Sequence, residues 1–110
     1  MVQPVGDVPV EAMARFTAAE ARLYPMVMTD PAGYRLATTL VGLVANQLRR
    51  ECADIPEVLA GRDALISRVP QLASDAGLSV GGLPLDVVVD AASALRCREL
   101  QAQAEERSGA

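Results

Sequence analysis

Apolar side chains recur at helical spacing in four stretches of this chain, and proline or glycine separates them. The first stretch runs from about Val10 to Tyr24. Pro9 stands near its start, where a missing N–H costs little. Met13, Phe16 and Leu23 supply its larger apolar groups, Glu11 and Arg15 are an i,i+4 pair, and Pro25 stops it. Met26 to Thr29 is a short apolar link. Asp30-Pro31 then reads as helix cap and first helical residue of a segment reaching about Glu51. Leu36, Leu40, Leu43, Val44 and Leu48 share one face of it, and Ala37, Val41 and Ala45 widen that face. This is the most apolar segment and is expected to be the central helix. Arg49 and Arg50 close it, suitably placed against its C-terminal partial charge.

Asp54 to Glu57 has the form of a capping box, with Asp in place of Ser or Thr. The third stretch carries Val58, Leu59, Leu65, Ile66, Val69 and Leu72; Gly61 and Pro70 interrupt it, so short helical pieces ending at Gly77 are expected. Leu78 to Leu83 reads as a loop around Gly81-Gly82. Pro84 suits the first turn of a last helix with its apolar line on Leu85, Val88, Ala92, Leu95 and Leu100. Its β-branched run Val87-Val88-Val89 would also suit a strand, and from Arg98 onward it is polar and expected to fray. The predicted fold is all-α: a small irregular bundle of four main helices, the third broken into short pieces. Residues 1–110 form one helical domain, with about 1–8 and 101–110 frayed.

Composition narrows the chemistry. The 110 residues contain no His, no Lys and no Trp, so all ten cationic side chains are Arg. Without His, the commonest general base at neutral pH is absent, and Ser-His-Asp and Cys-His arrangements are excluded within the chain. Without Lys there is no Schiff base and no phosphate-loop lysine. Two Cys cannot make a Cys₄ zinc site. A non-enzyme with no cofactor and no bound metal is expected.

The net charge of −4 is uneven, and only residues 35–62 carry more Arg than acids, four against three. Nucleic acid and anionic membrane call for a cationic surplus, so neither is an expected partner. The longest uncharged stretch, Leu36 to Leu48, is 13 residues, too short for a bilayer span of about 20. Met1 to Val10 lacks the basic segment of a signal peptide. Cys52 and Cys97, 45 positions apart, read as reduced structural thiols. A cytoplasmic location is the expectation.

Residues 72–83, Leu-Ala-Ser-Asp-Ala-Gly-Leu-Ser-Val-Gly-Gly-Leu, resemble the turn of a helix-turn-helix, as in tetracycline-repressor-like regulators. Ala73, Gly77, Leu78 and Leu83 fill the small, turn and apolar places of that motif. The resemblance implies a transcription-linked role. It stops at the recognition helix, where Gly81, Gly82 and Pro84 break the chain and Asp86 and Asp90 would face phosphate. The alternative for this stretch is a helix C-cap followed by a loop.

Other candidates are weaker. Asp86 and Asp90 share a helix face and could meet a divalent cation, or simply complement the helix N-terminus. Arg49, Arg50, Arg96 and Arg98 end two long helices and could gather into an anion site for phosphate or carboxylate. Tyr24 and Tyr34 flank the apolar link holding Met26 and Met28, a combination suited to a contact surface. With Leu36, Leu40 and Leu43 these form the candidate partner surface, since the apolar sector of the second segment is wider than one small bundle can cover. The expected function is a non-catalytic interaction module, an adaptor, accessory subunit or small assembly factor. Its partner is another protein or a second copy, a dimer first. A helix-turn-helix protein and a small anion or divalent-metal binder are the alternatives.

Overall fold

A computed structural model describes residues 6–109. They form six helical segments and no strand: α1 (Val10–Leu23), α2 (Met26–Thr29), α3 (Pro31–Glu51), α4 (Ile55–Ala60), α5 (Arg62–Asp75) and α6 (Leu85–Gly109). α1, α3, α5 and α6 are the four main helices, and the all-α bundle read from the sequence is the observed fold.

The boundaries follow local chemistry. Asp30 caps α3: its carboxylate accepts from the Gly33 N–H at 3.0 Å, and Pro31 takes the first helical position. Asp54 caps α4 in the same way, accepting from the Glu57 N–H at 2.9 Å. Glu57 reaches back to the Ala53 N–H at 3.3 Å, one residue earlier than in a regular capping box. The broken third segment divides at Gly61 only. Pro70 sits inside α5, and the helix runs through it.

Pro25 acts differently from a stop. Tyr24 (φ −54°, ψ −45°) and Pro25 (φ −61°, ψ −23°) both hold right-handed helical backbone. Hydrogen bonding shifts register here, with the Val27 N–H donating to the Tyr24 carbonyl and the Met28 and Thr29 N–H groups to that of Pro25. The chain therefore kinks into α2 with little unwinding. Glu11 and Arg15, a pair by spacing, make no ion pair with each other among the described residues.

The central helix is α6, not α3. It packs against α1, α3, α4 and α5. Val87, Val88, Val89, Ala92, Ala94, Cys97 and Leu100 are all buried on it, along with Asp90, Ser93 and Arg96. From Val87 to Cys97 none of its residues is exposed, so over this stretch it needs no polar face and the apolar stripe that marks a half-buried helix disappears. The β-branched valines are helical here because burial outweighs their small intrinsic penalty. The helix continues past Arg98, and Leu100 is still buried. Of the ends expected to fray, residues 1–5 and 110 lie outside the described residues, and 101–109 are helical.

The helix-turn-helix resemblance resolves into the cap. Gly77 (φ +75°) follows α5. Its N–H donates to the Ser74 carbonyl at 3.0 Å, and the Leu78 N–H donates to that of Ala73 at 2.8 Å. This is the double hydrogen bond of a Schellman ending. Residues 78–84 are non-helical, and α6 beyond them lies in the core, so no helix is presented to a groove.

Candidate interaction surface

The leucine face of α3 is turned inward. Leu40 is only 1% exposed, in the main core with Phe16, Val44, Leu48 and Val88. It is therefore not a partner-surface residue. Leu36 and Leu43 are half-buried and packed against the same core. The reason is the position of α6, which covers the sector of α3 that looked too wide for one bundle.

The unpartnered apolar surface lies elsewhere. Among the described residues, Val10 (82% exposed), Met13 (52%), Tyr24 (67%), Val27 (43%) and Met28 (86%) are the large hydrophobic residues left open. All belong to α1, α2 and the kink between them. α1 buries Ala12, Phe16, Ala19 and Leu23. At 100° per residue, the opposite side carries Val10, Met13, Ala14, Thr17, Ala21 and Tyr24. All of these are exposed, so α1 has a second apolar-to-small face besides the one it buries. Val10 and Met13 are not among the surface candidates read from the sequence, where Met13 is grouped with Phe16 and Leu23 as the larger apolar side chains of this stretch. The signal was the spacing Val10, Ala14, Thr17, Ala21, Tyr24, which is as regular as the buried stripe.

Tyr24 and Tyr34, which flank the apolar link in the sequence, line one pocket in the structure. With Glu20, Leu23, Thr38, Val41 and Ala91 they line a pocket of about 160 Å³. Leu23 is buried in the smaller core cluster, with Val41, Ala91 and Met26 packed against it, so the pocket has an apolar floor. Met26 is half-buried there, while Met28 stands in solvent.

The four helix-end arginines do not form an anion site. Arg49 donates from Nε to both Glu99 oxygens, at 3.0 and 3.1 Å. Arg96 approaches Glu99 at 3.5 Å. Two of the four thus converge, but on a carboxylate of the chain itself, and Glu99 is held below its usual pKa mainly by the Arg49 hydrogen bond. Arg98 pairs with Glu20 on α1, and Arg50 is exposed beside α5 near Leu72 and Asp75. Arg49 and Arg96 thus share Glu99, while Arg98 and Arg50 face different neighbours.

Asp86 and Asp90 also separate. Asp90 is buried and gripped by Arg62, Nε to Oδ1 at 2.7 Å and Nη2 to Oδ2 at 3.0 Å, while Asp86 is exposed. Both Asp90 oxygens are taken by the guanidinium, which leaves that carboxylate committed to a structural pair. Among the described residues no group of three or more His, Cys, Asp or Glu is placed to hold a metal ion. Cys52 and Cys97 are both free and buried. Burial pushes the Cys97 thiol up to about 11, against the downward pull of Arg96 and Arg98, and raises Cys52 as well. Neither carries the thiolate a reactive cysteine needs. Among the described residues no helix is long and apolar enough to cross a membrane. No protein-family model, curated protein or solved structure matches this chain.

Proposed function

We propose that the chain is a non-catalytic protein–protein interaction module of the cytoplasm, an adaptor, accessory subunit or assembly factor, working through the outer face of α1 and the corner where α1, α2 and α3 meet. One observation carries the reading. Among the described residues, the five large hydrophobic residues left open all fall between Val10 and Met28, while the apolar faces of the other main helices are largely buried in the core. Scattered apolar residues are ordinary on a surface; a concentration in one helical corner, beside a tyrosine-lined pocket, is the mark of a contact site. The missing histidine and lysine, and the carboxylates already committed to arginines, favour binding over catalysis.

The test is a comparison of two immobilised proteins, the full chain and its Tyr24→Glu/Met28→Glu variant, as baits in extract of the native host. Both substituted positions are exposed, so the variant is expected to keep the helical circular dichroism and melting temperature of the parent. Protein retained by the parent and lost by the variant supports the reading. Retention unchanged by the double substitution, with the fold intact, overturns the assignment of this surface.

A further inference from the structure

We infer that the hollow between α1 and α6 walled by Arg15, Arg22 and Arg62 binds a small monocarboxylate, held through its carboxylate by Arg15 and Arg22. The site lies on the flank of α1 that borders α6, more than about 100° round the helix from the centre of the exposed outer face, so it stands apart from the proposed interaction surface. Its basis is a spacing. Arg15, Ala18, Ala19 and Arg22 follow one another at i, i+3, i+4 and i+7, which sets them along one side of α1. The two arginines are about 10 Å apart along the axis, with only the methyl groups of Ala18 and Ala19 between them on that side. All four residues line a hollow of about 200 Å³. α6 borders it from the other side with Asp86, Val87 and Asp90, and Arg62 at the start of α5 completes the wall.

The charges around the hollow are unequally committed. Arg62 grips Asp90 through two hydrogen bonds, and that pair neutralises itself. Asp63 meets Arg62 at 3.6 Å but stands almost wholly in solvent, outside the lining. Arg15 and Arg22 make no ion pair among the described residues, and neither does Asp86. The Nε of Arg15 is buried and has no acceptor, so the chain leaves the bonding capacity of this guanidinium unspent. Two uncommitted guanidinium groups therefore stand against one uncommitted carboxylate, an excess of one positive charge. A ligand with one negative charge balances it. A second negative charge would meet Asp86 with no cation left to offset it.

The forked donors of a guanidinium match the planar, two-oxygen geometry of a carboxylate. Pockets for drug-sized ligands span roughly 300–1,000 Å³, so a hollow of about 200 Å³ suits a smaller molecule. The side chains of Ala18, Ala19 and Val87 offer no hydrogen bond, which favours a short apolar chain behind the carboxylate over a second polar group. The ligand class is thus a short-chain aliphatic carboxylic acid in its ionised form.

The test is a titration of the isotope-labelled full chain with sodium butanoate at neutral pH and constant ionic strength, following the arginine Nε–H resonances by NMR. Saturable shifts at Arg15 and Arg22 with a Kd of ~1 mM are expected, while Arg49 and Arg68, already committed to glutamates, stay in place. Arg22 is exposed, so Arg22→Gln is expected to keep the parent's circular dichroism and to weaken butanoate roughly tenfold. Sulfate, a dianion at this pH, is expected to bind at least several-fold more weakly than butanoate, and Asp86→Asn to narrow that difference. No saturable shift by ~50 mM butanoate overturns the site. Butanoate binding that Arg22→Gln leaves unchanged, with the fold intact, overturns it as well. Sulfate binding to the parent as tightly as butanoate overturns the monocarboxylate, and acetate matching butanoate overturns the part given to the apolar floor. The extract experiment reads the outer side of α1, so the two readings fail separately.

Discussion

Arg96 donates from Nη2 to the carbonyl of Cys52 at 2.9 Å, joining α6 to a residue 44 positions earlier. Cys52 is the C-cap of α3, so its carbonyl belongs to the group that a helix end leaves without an internal acceptor role. The same guanidinium approaches Glu99, which holds Arg49 of α3. One buried cation therefore ties the end of α3 to the middle of the central helix. Arg96→Met, which keeps the bulk and removes the donors, is expected to cost about 1–3 kcal/mol in urea unfolding. Arg96→Lys should lose less, since it keeps the charge but not the forked geometry.

Acid should act through the carboxylates on this seam. Glu99, beneath Arg49, and Glu51, bonded to Arg68, are both held below the ordinary glutamate value, by hydrogen bonds from those arginines first. In the unfolded chain they titrate near the usual value of about 4.3. Below that point the unfolded state binds more protons than the folded one. Their stabilising contribution is thus complete above about pH 5 and is lost as pH falls through the lowered folded values. The melting temperature measured from pH 7 to pH 3 should drop over that interval, and Glu99→Gln should flatten the drop.

Base should act through Cys97. Burial lifts its thiol to about 11, while a thiol in the unfolded chain titrates near 8.5. Between those values the unfolded chain loses its proton and the folded one keeps it, so stability falls as pH rises from about 8.5 and levels off beyond the folded value. Cys97→Ala should lower stability at neutral pH through the lost packing, yet remove part of the alkaline slope. Alkylation of native protein at pH 7 should leave both cysteines unmodified, and rapid labelling of Cys97 would contradict its burial.

Much of the fold is legible because its boundaries are local. Asp30-Pro31, Asp54 with Glu57, and Gly77 each announce a helix end through chemistry within four residues. The central helix is not legible in the same way. Val87, Val88 and Val89 face different directions and are all buried, which no single stripe describes. The candidate surface divides similarly. Tyr24 and Met28 are exposed beside a kink that proline announces, whereas Leu40 looks identical to a surface leucine until α6 is seen to cover it. The arginine cluster was half visible: helix ends place Arg49 and Arg96, but only tertiary packing supplies Glu99 between them.

Two glycines should respond to alanine in opposite directions. Gly77 holds φ +75°, and a Cβ there meets nothing within 4 Å. The cost of Gly77→Ala is therefore conformational rather than steric, about 1–2 kcal/mol for a left-handed alanine. Gly42 lies inside α3, without positive φ and also with open space around a Cβ. Gly42→Ala should stabilise by about 0.5–1 kcal/mol, through lower entropy of the unfolded chain and better helix propensity. Thermal unfolding of the two variants beside the parent decides both, and a loss at Gly42 would mean that its face of α3 is closer packed than described.

Asp86 and Asp90 are equivalent by sequence and unlike in the structure, which makes them a sharp comparison. Asp90 is buried beneath a two-point grip from Arg62, and Asp86 is exposed one turn earlier. Asp86→Ala should change stability by less than about 0.5 kcal/mol. Asp90→Ala removes two charge-assisted hydrogen bonds and should cost about 2 kcal/mol, moderated by the partial exposure of Arg62. Arg62→Ala leaves the deeper carboxylate without its partner, so it should cost at least as much. In the double variant the two losses should not add, and a coupling of about 1–3 kcal/mol is expected from a double-mutant cycle. Strict additivity would show that the pair contributes nothing beyond its separate parts.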